Sequence, residues 1–138
     1  MGEPKGSNGK GQERLKRYTA LIDDSKQLKS LKTYAGSVYY QEPFYQLMRQ
    51  TLWAEQMIKN YDSEAVKADD FLHMHVIPQE NYELLGRPYH LSGKPMEETW
   101  RSLLNDNAKY VIVSPERLLS PVYERYPELI SYLKTRYW

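Results

Sequence analysis

Cysteine is absent from the 138 residues. That excludes disulfides and thiolate-held zinc, and it fits a reducing compartment. No apolar stretch approaches the roughly 20 residues that a bilayer-spanning helix needs. The Gly-, Lys- and Ser-rich start, Met1 to Gly11, carries no apolar core of a secretory signal. A cytoplasmic protein with no membrane partner is therefore expected. Internal repeats are absent as well. What is present is a hydrophobic share of 41%, adequate for one core, and an aromatic share of 13% that comes mostly from 13 Tyr. Tyr packs with its ring and keeps a polar tip in water, so this composition suits broad, half-polar surfaces. A chain of this length is one domain or part of one.

Net charge is +1, unevenly spread. Residues 1–34 hold eight Lys/Arg against four acids, a net of +4, and the remainder holds eleven against fourteen, a net of −3. A basic head can touch phosphates, with Arg14, Lys16 and Arg17, and Arg49 beyond it, as the candidate DNA contacts. The plainer reading of the same composition is a solvated tail. Residues 1–11 lack periodicity and read as a flexible segment ahead of a single domain over 12–138.

The clearest element is Pro43 to about Asn60. Pro43 suits a first helical turn because its missing N–H needs no partner there, and Glu42 suits the positive end of the helix dipole. Phe44, Leu47, Met48, Leu52 and Ile58 share one broad face, with Glu55 inside that arc. Gln46 and Gln50 fall opposite, beside Trp53 and Met57. Apolar groups on most sides predict a helix packed on both faces, carrying Gln46 and Arg49 as an inward pair. Around it, Gln12–Asp23 predicts a helix with Leu15, Thr19 and Ile22 on one face. A short helix and then a loop at Ala35–Ser37 follow. Phe71–Ile77 predicts a buried strand stopped by Pro78. A helical turn over Gln79–Leu85 precedes a loop over Gly86–Pro95. Met96–Leu104 predicts a helix, Asn105–Asn107 a turn and Lys109–Val113 a second strand. Ser114-Pro115-Glu116 is a strong helix start. The last helix, Glu128–Tyr137, carries Leu129, Tyr132, Leu133 and Tyr137 along one stripe.

Several groups bear on chemistry. Glu3 and Lys5 have the Glu-x-Lys spacing that, on a strand, points both side chains one way. The Glu can then hold Mg²⁺ while the Lys steadies an attacking hydroxide. The Pro4 between them argues against a central strand. His73 and His75 alternate with Leu72, Met74 and Val76 and share a side, as a metal pair or as half-buried, hydrogen-bonded histidines. A third ligand is lacking apart from distant His90. Glu55 reads as a functional acid or, more plainly, as a salt-bridge partner or a residue at the edge of the packed face. Trp53, Trp100 and Trp138 offer stacking surfaces or ordinary core packing.

The run Tyr45–Met57 resembles the Q-x-x-R-x-x-L-L-A helix of a bacterial branch of the PD-(D/E)XK superfamily, the restriction-endonuclease-like nucleases. In that branch a Glu-x-Lys strand precedes an Arg-Tyr pair, this helix, and a strand ending in Pro with Asn close behind. Here Arg17-Tyr18 follows Glu3 and Lys5, His75–Asn81 matches the strand end, and Tyr132–Tyr137 resembles the closing helix. The resemblance implies an α/β fold of helices on a small mixed sheet, equivalent to the C-terminal part of the nuclease domain. It implies Glu3, Lys5 and Gln46 as the catalytic remnant, with Glu3 toward the metal and Arg49 one turn after Gln46. DNA is the implied substrate and Mg²⁺ the cofactor of a full-length nuclease. The family's first acid would lie upstream of Met1. The chain as given is thus expected to be truncated, inactive and without a cofactor, with DNA or a second copy of itself as partner.

Overall fold

The computed structural model describes residues 8–30 and 38–137, with the backbone alone for 8–15. Glu3, Lys5, Trp138 and the loop expected at Ala35–Ser37 lie outside the described residues. The element order is α1 (Asn8–Asp24), α2 (Phe44–Lys59), β1 (His73–Val76), α3 (Tyr82–Gly86), α4 (Met96–Ser102), a 3₁₀ turn (Asn107–Lys109), β2 (Tyr110–Val113), α5 (Pro115–Leu119), a second 3₁₀ turn (Ser120–Val122) and α6 (Pro127–Tyr137). Helix α1 begins at Asn8, so Asn8–Gly11, expected as loop, form its first turn.

The two expected strands form one sheet. β1 and β2 pair in parallel, with His73 opposite Tyr110 and Val76 opposite Val113. The Ile77 N–H donates to the Val113 carbonyl at 2.9 Å and extends the ladder by one bond. A parallel pair needs a crossover, and α3 and α4 supply it. Arg101, in the last turn of α4, fastens that helix to β2. Its guanidinium donates to the Tyr110 carbonyl at 3.1 Å and to the Asn107 carbonyl at 3.0 Å, and lies over the Tyr110 ring.

The core gathers Ile22 of α1, Phe44, Leu47, Met48 and Leu52 of α2, Met96 and Trp100 of α4, and Tyr110 of β2. Trp100 is fully buried, meeting Tyr39, Phe44 and Tyr110. The segment after α1 is tied to the α4–β2 connection. Leu28 bridges Leu104, and the Lys29 N–H donates to the Leu103 carbonyl at 2.9 Å. The buried Gln27 amide donates to the Asp106 carbonyl at 2.7 Å and accepts the Asp106 N–H at 3.1 Å, so neither end of a polar group in the core lacks a partner. Helix α1 is thereby held beside α2, where it forms one wall of a groove.

Three expectations are corrected. Helix α2 buries one face, not two: Phe44, Leu47, Met48, Thr51 and Leu52 are inside, whereas Trp53 is 67% exposed. Strand β1 is not a buried strand, since Leu72, Met74 and Val76 face outward at 53%, 43% and 41% exposure, with the histidines turned inward. The strand has one helix-covered side, and α2 occupies it through Gln50 and Thr51 against His73. The stripe along α6 is also reversed. Ile130 is its buried residue, whereas Leu129, Tyr132 and Tyr137 are exposed.

Candidate nucleic-acid interface

Positions 46, 49, 50, 53 and 56 recur at three and four residues along α2, so their side chains share one flank of the helix. With Tyr18 and Leu21 of α1 and Leu52 at its floor, this flank forms an open groove of about 390 Å³ lined by Gln46, Arg49, Gln50, Trp53 and Gln56. Gln46 and Arg49 are solvent-exposed. The expected inward pair therefore faces a surface groove, because the buried arc of α2 is centred on Leu47, Met48 and Thr51 on the other side.

Aromatic rings stiffen the wall. Tyr18 meets Tyr45 edge to face at 6.0 Å between ring centres, and the Arg49 guanidinium sits 5.5 Å from the centre of the Tyr45 ring. A cation on an aromatic face is held without a carboxylate, so its charge remains available to an anion. None of the groove's lining residues is acidic. Lys16 and Arg17 are exposed on α1, in the turn that leads to Tyr18. Arg14 lies in the same helix, and its side chain is outside the described residues.

Behind the groove, Gln50 links to the sheet. Its Oε1 accepts from His73 Nε2 at 2.8 Å, which places the proton of the neutral ring on Nε2. His73 Nδ1 lies 3.4 Å from the Thr51 hydroxyl, which already donates to the Leu47 carbonyl at 2.8 Å. His75 Nδ1 is 2.8 Å from the Tyr110 hydroxyl, itself against Met96 Sδ. Burial pushes His73 down to about 4, with a smaller contribution from neighbouring His75, and burial also lowers His75. Both rings are neutral members of a hydrogen-bonded layer. Among the described residues no three or more His, Asp or Glu side chains group as a metal set.

A larger cavity of about 530 Å³ lies at the far end of α2. Its rim holds Asp24, Glu55, Asp69, Asp70 and Asp106 with Lys26, Lys59 and Lys109. Lys59 pairs with Asp24, and Lys109 pairs closely with Asp70. Glu55 accepts from the Ser25 hydroxyl at 2.6 Å and from the Lys26 N–H at 3.2 Å, a structural role at the end of α1. With five acids against three lysines this rim is net acidic, whereas the lining of the α1–α2 groove holds no acid.

Sequence comparison adds the family. The family REase-ARP, described as Restriction Endonuclease associating with ARP, matches residues 1–138. The chain belongs to REase-ARP. Membership makes it restriction-endonuclease-related along its whole length. No curated protein and no solved structure matches it. Of the residues expected to act, the structure brings Gln46 and Arg49 together on the groove, whereas Lys16 and Arg17 are exposed on α1 outside its lining. Trp53 and Gln56 join Gln46 and Arg49 on the groove. The recurrence of 46, 49, 53 and 56 at helical spacing carries that signal in the sequence, but the assumption of a two-sided helix hides it.

Proposed function

We propose that this REase-ARP chain contacts DNA through the α1–α2 groove. The observation that carries the reading is a groove without carboxylates that presents Arg49, three Gln amides and an exposed Trp53, with Lys16 and Arg17 exposed on α1 outside its lining. Phosphate contacts position a protein on DNA and make binding salt-dependent. Arg49, Lys16 and Arg17 take that part, while the Gln side chains supply donors and acceptors to sugar or base edges. The finer reading is that the fold is the C-terminal part of a PD-(D/E)XK domain. It is supported by the pairing of the two strands that follow the Gln46/Arg49 helix. On that reading Glu3 and Lys5 belong to a Mg²⁺ site whose remaining acids come from elsewhere. The chain by itself binds DNA and does not cleave it. Titration of DNA at increasing salt tests the reading. Three phosphate contacts predict a slope of log K against log salt of roughly −2 to −3. Replacing Lys16, Arg17 and Arg49 by Ala abolishes that slope, and salt-independent binding in the parent chain would sink the proposal.

A second reading has its own observation. Leu72, Met74 and Val76 form an apolar row on the outer side of a parallel sheet, a side that parallel sheets ordinarily cover. An interaction module using that face, whether with a second copy or with the ARP partner of the family's description, is tested by sedimentation of the parent chain and of Met74→Lys.

A further inference from the structure

We infer that Trp53 and the groove beside it hold an unpaired nucleobase, so that the preferred ligand is single-stranded or locally opened DNA. The inference rests on the DNA-contacting reading and deepens it.

A tryptophan left two-thirds exposed forgoes one of the largest apolar burials a side chain offers. Here its surroundings are mixed: Met57 one turn on and Leu21 and Leu52 in the groove are apolar, and the other helix neighbours are polar. Arg49 precedes it by one turn, Gln50 by three residues, and Gln56 follows by three. Apolar protein partners bury Trp among other apolar groups, whereas a base offers a flat π-face with a polar edge. Stacking meets the indole and amides meet the edge. Gln50 Oε1 is already taken by His73 Nε2, so the amide NH₂ of Gln50 remains the donor end. Arg49, steadied over Tyr45, supplies the charge for the adjoining phosphate. The groove's volume of about 390 Å³ falls within the range of small-molecule sites. In a duplex both faces of each base are already stacked on neighbours, so a platform of this kind is used only where a base is unpaired.

The test titrates the full chain with a short mixed-sequence single strand and with the corresponding duplex, using labelled DNA and anisotropy. Indole fluorescence is read in parallel on a Trp138→Phe background, which leaves Trp53 and the buried Trp100. The parent chain is expected to favour the single strand, with quenching of Trp53 on binding. Trp53→Ala should weaken the single strand by roughly 5- to 140-fold, the loss of one stacked base. Its salt slope and melting temperature should not change, and Trp53→Phe should retain most of the affinity. Equal single-strand affinity in parent and Trp53→Ala overturns the inference. So does self-association that disappears in Trp53→Ala, which assigns the indole to a protein interface. Duplex binding that is salt-sensitive and stronger than single-strand binding overturns the inference and leaves the DNA-contacting reading standing. Absence of salt-sensitive binding to either ligand removes both.

Discussion

Acid should loosen this fold through His73, and the size of the effect follows from its surroundings. The ring sits between α2 and β1, donates to Gln50 Oε1, and has His75 two residues on along the same side of the strand. Burial first, and His75 second, lower its pKa from 6.5 to about 4. A base whose folded pKa lies below its unfolded value binds protons more readily in the unfolded chain. Stability is then fully present above about pH 6.5 and is lost as the pH falls toward about 4, below which this residue takes no more. Complete transmission of that difference is about 3 kcal/mol. The half-buried ring is partly screened by water, which reduces the expected loss to roughly 1–2 kcal/mol. His75, lowered by burial, adds in the same direction. Urea unfolding across this pH window measures it, with His73→Gln as the reference that keeps polar bulk and cannot titrate. The difference between parent and variant should shrink or change sign as pH falls. A parent and variant whose stabilities fall in parallel would refute the assignment of the acid sensitivity to this ring.

Trp100→Ala should cost about 3–5 kcal/mol in urea unfolding, because the fully buried indole is the hub of Tyr39, Phe44 and Tyr110. Ser25→Ala should cost about 1 kcal/mol, since Ser25 Oγ accepts the Gln27 and Leu28 N–H groups and donates to Glu55. A loss within error in the same unfolding assay would show that water replaces it. Met74→Lys should leave stability within about 0.5 kcal/mol, as an outward residue of β1. Any self-association measured for the parent should vanish in that variant.

Much of the fold is legible in the sequence because its signals are local. Pro43 at the helix entry, the run without Gly or Pro to Lys59, and Ser114 ahead of Pro115 each act within one turn. In the structure Ser114 Oγ accepts the Arg117 N–H, as an N-cap should. Strands His73–Val76 and Tyr110–Val113 fall inside the expected ranges for the same reason. Sidedness is what the sequence hides. An apolar residue on a strand or helix declares that burial is possible and not which neighbour provides it. Leu72, Met74 and Val76 look like the core face of β1, yet α2 meets the other face because Gln50 and Thr51 hydrogen-bond His73 there. Trp53 looks like a second core face of α2 for the same reason. Gln46 and Arg49 are found on sequence pattern, but their setting in a groove depends on the position of α1. That position is held by Gln27 and Leu28, which contact Asp106 and Leu104 at a separation of more than seventy residues.

The groove's role is tested most directly by mapping where DNA lies on the protein. A single strand carrying photoactivatable pyrimidines is bound to the full chain, irradiated, and the adducts are located by mass spectrometry. The account predicts adducts on Tyr18 and Trp53, suppressed by excess unlabelled single strand and by added salt. Adducts confined to the exposed aromatics of α6, Tyr132 and Tyr137, would place DNA away from the groove residues and contradict it.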